Sequence, residues 1–201
     1  MKFNYIDKVG VEIEGGWDVQ PPAGPPGHDG SVQVIAPIRG ELRSRPMARW
    51  ETIENYVSAN WPTRTDRTCG FHVHISVNNT HLYSSLMEKR FYDFFLARME
   101  SWGRSNDIQN SEFWSRLNGD NHYCKKMWNP DKQAEIAFKD TVRYAHWNFC
   151  FLQHTTAECR LFPTFKKPHV AVKAIRELLS IVEEWLDKAP AAVEVEAVVE
   201  D

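Results

Sequence analysis

Three stretches of the chain alternate apolar with polar residues, and in each the polar positions carry ligand-type side chains. VGVEIEG sets Glu12 and Glu14 two residues apart, CGFHVHIS does the same for His72 and His74, and TAECRLFP for Glu158 and Arg160. Successive side chains of a strand point to opposite faces, so both members of each pair share a face. Val11, Ile13, Phe71, Val73, Ile75, Cys159 and Leu161 then point the other way, into a core. The alternation predicts strands over residues 9–15, 69–77 and 155–163. A strand over 141–150, joined to the last by a brief turn, makes an antiparallel hairpin. SVQVIAPI at 31–38 also alternates, with Pro37 marking an edge or a bulge, and GELRS continues as a short strand over 40–44.

Elsewhere the apolar positions recur near a period of 3.6. Pro46 is placed as the first-turn proline of a helix running to Ala59, with Met47, Trp50, Ile53 and Val57 at helical spacing. The longest helix is expected from Thr80 to Arg104, carrying Leu82, Leu86, Phe91, Phe94, Phe95, Met99 and Trp102. Short helices are expected at 111–117 and 131–138, and a final one at 168–187 with Val172, Ile175, Leu178, Leu179, Val182 and Leu186 on one side. Residues 17–30 are rich in Pro and Gly and predict a long loop, a candidate for a segment that folds over a site. Helices fall between strands without regular βαβ alternation, which predicts an α+β fold: a mostly antiparallel sheet with helices on one face. The other face is then left for chemistry. Residues 1–189 are expected to form a single catalytic domain, followed by a disordered acidic tail over 190–201.

A chain of 201 residues fits one domain. Its 24 Lys and Arg face 27 Asp and Glu, a net charge of −3. Four of those acids (Glu194, Glu196, Glu200, Asp201) lie in the tail, which has no Lys or Arg, so the body sets 24 cations against 23 acids. No global field therefore draws nucleic acid or an acidic membrane, although Arg39, Arg43, Arg45 and Arg49 form a local basic cluster. Cys69, Cys124, Cys150 and Cys159 form no CxxC pair, which argues against a zinc ribbon and for reduced thiols in a cytoplasm. MKFNYIDKVGVEIE lacks the apolar stretch of a secretory signal, and no run approaches the roughly 20 apolar residues of a membrane span.

Exposed strands often carry alternate glutamates, and Glu158 with Arg160 reads equally as a cross-strand ion pair. Two histidines on one strand face are harder to treat as surface decoration. Gly10, Gly15 and Gly70 beside these pairs allow a ligand close to the backbone. Carboxylates and imidazoles gathered on a shielded face cost several kcal/mol each unless compensated, and a divalent cation or a phosphate compensates them. An HxH pair also occurs in cupin barrels with a ligand Glu close behind, but here no acid follows until Glu88. Glu41 in GELRS is a further candidate ligand. Asp29, Gly30 and Ser31 read as a turn, and His28, His122, His146, His154 and His169 default to surface or core roles. Glycine-rich phosphate loops, a GxSxG elbow and an HExxH helix are all absent.

Taken in order, GVEIEGG, DGS, GELRS, CGFHVHIS, RYAHWNF and TAECRLFP resemble the amidoligase family of carboxylate–amine ligases, over most of residues 9–163. The resemblance implies a glutamine-synthetase-like catalytic fold whose sheet face holds Mg²⁺ or Mn²⁺ ions gripping the phosphates of ATP. It implies Glu12, Glu14, Glu41, His72 and Glu158 as metal ligands, His74 and Ser76 as nucleotide-side contacts, and Arg160 as a phosphate contact and catalytic group. Asn148 falls where the family has an Asn near the site, while Arg43 departs from the family pattern by being basic. The implied activity is ATP-dependent formation of an amide or isopeptide bond through an acyl phosphate, with Asp29 as a candidate proton acceptor. Expected partners are small-molecule or peptide acids and amines, with a homo-oligomer compatible. The alternatives are a metal-dependent hydrolase using the same Glu/His face, for which zinc would suit, and a non-catalytic domain with a solvated sheet face.

Overall fold

The computed structural model describes residues 1–79, 81–128, 144–150 and 155–188. Five strands form one antiparallel sheet: β1 (Ile6–Trp17), β2 (Ile38–Arg43), β3 (Gly70–Val77), β4 (Trp147–Cys150) and β5 (Thr156–Pro163), in the order β2-β1-β3-β5-β4. The described helices are α1 (Trp50–Asn60), α2 (His81–Leu86), α3 (Lys89–Ser105), α4 (Ser111–Asn118) and α5 (Pro168–Asp187). The α+β class with an antiparallel sheet is as the sequence pattern predicts. The expectations at 131–138, 141–143, the hairpin turn at 151–154 and the tail over 190–201 lie outside the described residues, as does His154.

The sheet has one apolar face. Val9, Val11 and Ile13 of β1 are buried with Phe71, Val73 and Ile75 of β3, Cys159 of β5, and Ile175, Leu178, Leu179 and Val182 of α5. Trp147 of β4 receives the edges of Phe91 and Phe95 from α3, each 5.2 Å away between ring centroids. Each such side chain buries 150–250 Å² and prefers this edge-on contact. At the entry of β1 the Glu183 carboxylate of α5 accepts the backbone N–H groups of Asn4, Tyr5 and Ile6 at 2.9–3.3 Å. That fixes where the strand begins, and with it the register of everything downstream.

Four boundaries differ from the sequence expectation. Residues 31–37 are extended but form no ladder: Val32 and Val34 are buried with Cys69 while Gln33 and Ile35 are exposed. The alternation is real, but the backbone is tied by side chains instead, with Gln33 N–H donating to Thr68 Oγ1 and Arg64 to the Ile35 carbonyl. The first helix starts at Trp50 rather than Pro46, because Met47 exchanges both backbone hydrogen bonds with Val9 at 2.8 Å and so continues the sheet. The long helix expected from Thr80 to Arg104 divides into α2 and α3, with Glu88 in extended conformation at the start of the second. Residues 17–30 do not hang free. Gly27 exchanges two backbone hydrogen bonds with Glu41, at 2.8 and 3.0 Å, and Ala23 N–H donates to Asn60 Oδ1. Gly40, at φ 148°, lets the loop come this close: a Cβ there would fall 2.0 Å from the Gly27 carbonyl oxygen.

Beneath the sheet the described histidine His146 is buried and neutral. Its Nε2–H donates to the Arg116 carbonyl at 2.7 Å and its Nδ1 accepts from Tyr92 Oη at 2.8 Å. Burial pushes it down to about 4 from an ordinary 6.5, with nearby Lys126 and Arg116 adding to the effect against the Arg116 carbonyl. Among the described helices, none is long and apolar enough to cross a membrane.

The His146 environment predicts an acid-sensitive fold. Between pH 6.5 and 4 the unfolded chain protonates this histidine and the folded chain does not, so stability falls as pH falls, by about 3 kcal/mol across the window. His146→Gln keeps a donor for the carbonyl and an acceptor for Tyr92 but cannot titrate. Urea titrations at pH 7 and pH 4 are expected to show the parent losing about 3 kcal/mol more than the variant. Equal losses would show that His146 titrates alike in both states.

Candidate functional site

The second sheet face carries the polar members of every alternating pair. Antiparallel register sets Glu12 opposite His72, Glu14 opposite Glu41, Glu12 opposite Arg43 on the other side, and His74 opposite Glu158. β1 and β3 are interior strands, so Glu12, Glu14, His72 and His74 sit where both neighbours contribute side chains. Between Phe71 and Val73 the register with β5 slips, so Arg160 and Leu161 together face the single His72. Arg160, on the face of Glu158 two residues before it, sits at this bulge. Its backbone is held on both sides, by the His146 carbonyl accepting from Arg160 N–H at 2.8 Å and by Arg116 Nη1 donating to the Arg160 carbonyl at 3.2 Å.

His72 is the centre of the group. Its Nδ1 lies 3.3 Å from Glu12 Oε2 and 3.4 Å from Glu158 Oε1, and the ring is 3 % exposed. Its Nε2 edge turns toward Gly70 and Glu14: a Cβ at Gly70 would fall 2.6 Å from Nε2 and 3.1 Å from Glu14 Oε2. Gly70 N–H also donates to Glu14 Oε2 at 2.5 Å. The Thr164 hydroxyl lies 2.7 Å from the Glu14 carbonyl and 2.8 Å from the Gly70 carbonyl, clamping the ends of β1 and β3 beneath these side chains. Glu158 is steadied by Asn148 Nδ2 at 2.7 Å and Arg160 Nη1 at 2.5 Å. Two groups of potential ligand atoms result, each within 4.8 Å: Glu12, His72 and Glu158, and Glu14, Glu41 and His72.

The electrostatics show how crowded this face is. Burial works against the Glu12 charge, but hydrogen bonds from His72 and His74 hold it well below the carboxylate range. Burial likewise opposes Glu158, and Arg160, His72 and His74 outweigh it. His74 is raised: burial disfavours its charge, but the Glu12 hydrogen bond and the fields of Glu158 and Glu12 prevail. Glu41 goes the other way. Burial and the neighbouring Glu12 and Glu14 charges push it up to about 8 against the pull of Arg43. Four carboxylates are thus crowded enough that one of them, Glu41, holds its proton, which a divalent cation would displace. His74 Nε2 fits the same picture: it is buried, and among the described residues it meets only Glu12 Oε1, at 3.3 Å and in poor hydrogen-bond geometry. The donor set of carboxylates with one imidazole suits Mg²⁺ or Mn²⁺, and the cradle at Gly70 would admit one.

Of the residues singled out in the sequence, Glu12, Glu14, Glu41, His72, His74, Glu158 and Arg160 come together. Ser76 does not join them, since its hydroxyl serves the Lys8 backbone, accepting from N–H at 3.2 Å and lying 3.3 Å from the carbonyl. Asp29 is also apart, its Oδ1 accepting Ser31 N–H at 2.7 Å and Ser31 Oγ at 2.6 Å in the expected turn. The 17–30 loop is pinned along β2, so it is not poised as a free cover for the site. Arg116 and Thr164 carried no signal in the sequence, because they lie outside the alternating pairs, whereas Thr156, whose Oγ1 lies 3.3 Å from His74 Nδ1, stands two residues before Glu158 on β5.

Gly70→Ala tests this cradle directly. The added methyl must displace either the His72 ring or the Glu14 carboxylate. Mn²⁺ binding is expected to weaken about tenfold or more with native far-ultraviolet circular dichroism, as when a supporting contact of a metal ligand is lost. Unchanged Mn²⁺ affinity would mean that neither side chain holds the ion.

Comparison with known protein families, with curated proteins and with solved structures found no match, so the chemistry of this face is argued from its own residues.

Proposed function

We propose that this chain is an ATP-dependent carboxylate–amine ligase on a glutamine-synthetase-like sheet, forming an amide or isopeptide bond through an acyl phosphate. The observation that carries the reading is the convergence of the three alternating pairs, with His72 Nδ1 at 3.3 Å from Glu12 and 3.4 Å from Glu158 and Arg160 bound to Glu158. Together with the resemblance of the motifs, it supports a face built for cations and phosphate rather than a solvated surface.

Divalent cations on Glu12, His72 and Glu158, and on Glu14 and Glu41, would supply Lewis-acid neutralisation of the β- and γ-phosphates. The chain's own residues do the rest. Asn148 fixes one Glu158 oxygen, leaving the other beside His72 and Arg160. Arg160, only 13 % exposed, faces the developing charge on the transferred phosphoryl group. Its guanidinium stays protonated throughout: burial disfavours the charge, but the fields of Glu158 and Glu14 more than offset that. Its Nε has no partner among the described residues, leaving a buried donor for an incoming anion. A substrate carboxylate oxygen attacks the γ-phosphorus as the bond to ADP breaks. An amine then attacks the acyl carbon, and phosphate leaves carrying the amine's proton. The step needs no part for Asp29, whose Oδ1 accepts from Ser31 N–H and Oγ.

A second reading has one observation in its favour. Glu12 lies 3.3 Å from both His72 and His74, a set that a zinc hydrolase would use. It predicts tight zinc binding and no response to ATP.

Magnesium with ATP is expected to raise the melting temperature by roughly 5–10 °C at a hundredfold excess over the dissociation constant, about 2.7 kcal/mol by mass action. Glu14→Gln is expected to abolish that shift, and its persistence would remove Glu14 from the metal centre. Phosphate release from ATP, assayed across pools of acids and amines with mass spectrometry of the product, is expected to fall about 100-fold or more in Arg160→Ala. Release that ignores every acid and amine, or survives this substitution, would count against the ligase reading.

A further inference from the structure

Arg43 is a charged residue of this face that the reaction above leaves unused. It stands on β2 opposite Glu12. Its guanidinium grips Glu41 Oε2 through both Nε, at 2.5 Å, and Nη2, while Nε also lies 3.5 Å from Glu12 Oε1. Glu41 and Glu12 each belong to one of the two ligand groups. A divalent cation on these groups draws on the same two carboxylates that the guanidinium now holds, and brings two positive charges beside a third. Guanidinium and cation are therefore competitors for the same carboxylates.

The competitors are not equally free to move. The Glu41 and Glu12 side chains are 8 % and 20 % exposed, whereas Arg43 is 70 % exposed. The carboxylates are held by the sheet, and the long Arg side chain at the rim can swing away. It would do so beside Arg39, which precedes Glu41 on the same face of β2, is exposed, and has no carboxylate partner among the described residues. A displaced Arg43 would thus leave two guanidinium groups side by side at the rim. Such a pair calls for an anion, because planar forks bind carboxylate or phosphate oxygens in pairs.

We propose that Arg43 is a resident counter-ion of the outer cation position, displaced when a divalent cation takes Glu41, and that the freed guanidinium then binds an anionic group of the incoming substrate. The inference rests on the metal centre of the ligase reading and adds an order to it: cation first, anion second. By linkage the coupling is reciprocal, so each ligand tightens the binding of the other. The anionic group is a carboxylate of the acid substrate or a phosphate of the nucleotide, chemistries that share the same fork.

The test uses the full chain with Mn²⁺ alone as calorimetric probe. Arg43→Gln is expected to bind Mn²⁺ about tenfold or more tightly than the parent. Arg43→Lys, which keeps the charge but lacks the fork, should fall between them, and Arg39→Gln should match the parent. In ¹⁵N spectra, the Arg43 Nε–H resonance is identified by its loss in Arg43→Gln. It is expected to shift on addition of Mg²⁺, and again on addition of either glutarate or inorganic phosphate, the second shift requiring Mg²⁺. The anion that produces that second shift identifies the source. The proposal is overturned if Arg43→Gln binds Mn²⁺ no more tightly, if the resonance ignores Mg²⁺, or if neither anion moves it. Absence of Mn²⁺ binding in every protein, parent included, would instead remove the metal centre itself.

Discussion

Four carboxylates share one sheet face around the His72 imidazole, and that concentration of negative charge is the constraint to which the rest of the molecule answers. Each ionised carboxylate withdrawn from water costs several kcal/mol unless a cation or hydrogen bonds replace the lost solvation. The chain supplies partial compensation for each one: Gly70 N–H for Glu14, His72 and His74 for Glu12, Arg43 for Glu41, and Asn148 with Arg160 for Glu158. These donors come from four strands, and most are effective only at the observed register. Two devices fix that register. Glu183 holds the start of β1 at Asn4 to Ile6, and the Thr164 hydroxyl sits between the carbonyls of Glu14 and Gly70. A one-residue slip would send every carboxylate into the apolar layer and every valine out.

The same constraint explains what could be read from the sequence. A strict two-residue period is the one pattern whose side-chain direction follows without knowledge of the tertiary fold. Glu12, Glu14, His72, His74 and Glu158 were therefore assignable to a common type of face from their spacing, and the apolar residues between them to the core. The sequence pattern also located α5, where Pro168 opens a helix with a continuous apolar side. Ser76 obeys the same period yet lies beyond the group, because period fixes a face and not a distance along it.

Other features depend on pairings that no local pattern encodes. Residues 31–37 alternate like a strand, but Val34 and Ala36 cross the sheet end at Gly16, where a Cβ would meet Ala36 Cβ at 2.4 Å. There they cover the face and add no strand. Pro46 suits the first turn of a helix, but Met47 is taken by Val9. Arg160 shares the face of Glu158 by the same two-residue period, but the residue supporting the bulge at that point, Arg116, comes from α4, more than forty positions away in the chain. Arg116 is 1 % exposed and donates to the carbonyls of Arg160 and Cys69, so nothing in its own helix reveals its purpose.

The shared imidazole limits how the two ligand groups can be filled. A neutral histidine offers one ring nitrogen as a ligand and carries its proton on the other. Nδ1 faces Glu12 and Glu158, while Nε2 faces Gly70 and Glu14. If Nδ1 is the ligand, Nε2 carries the proton and becomes a donor toward Glu14. The second position is then left with oxygen ligands only, from Glu14 and Glu41. An ion that prefers oxygen, and that retains water or takes phosphate oxygens to complete its shell, suits such a position, whereas a zinc site would want nitrogen there as well. His72 thus separates the face into one mixed site and one oxygen site. That asymmetry is the physical ground on which magnesium and a polyphosphate, rather than zinc and a bound water, are proposed for this sheet.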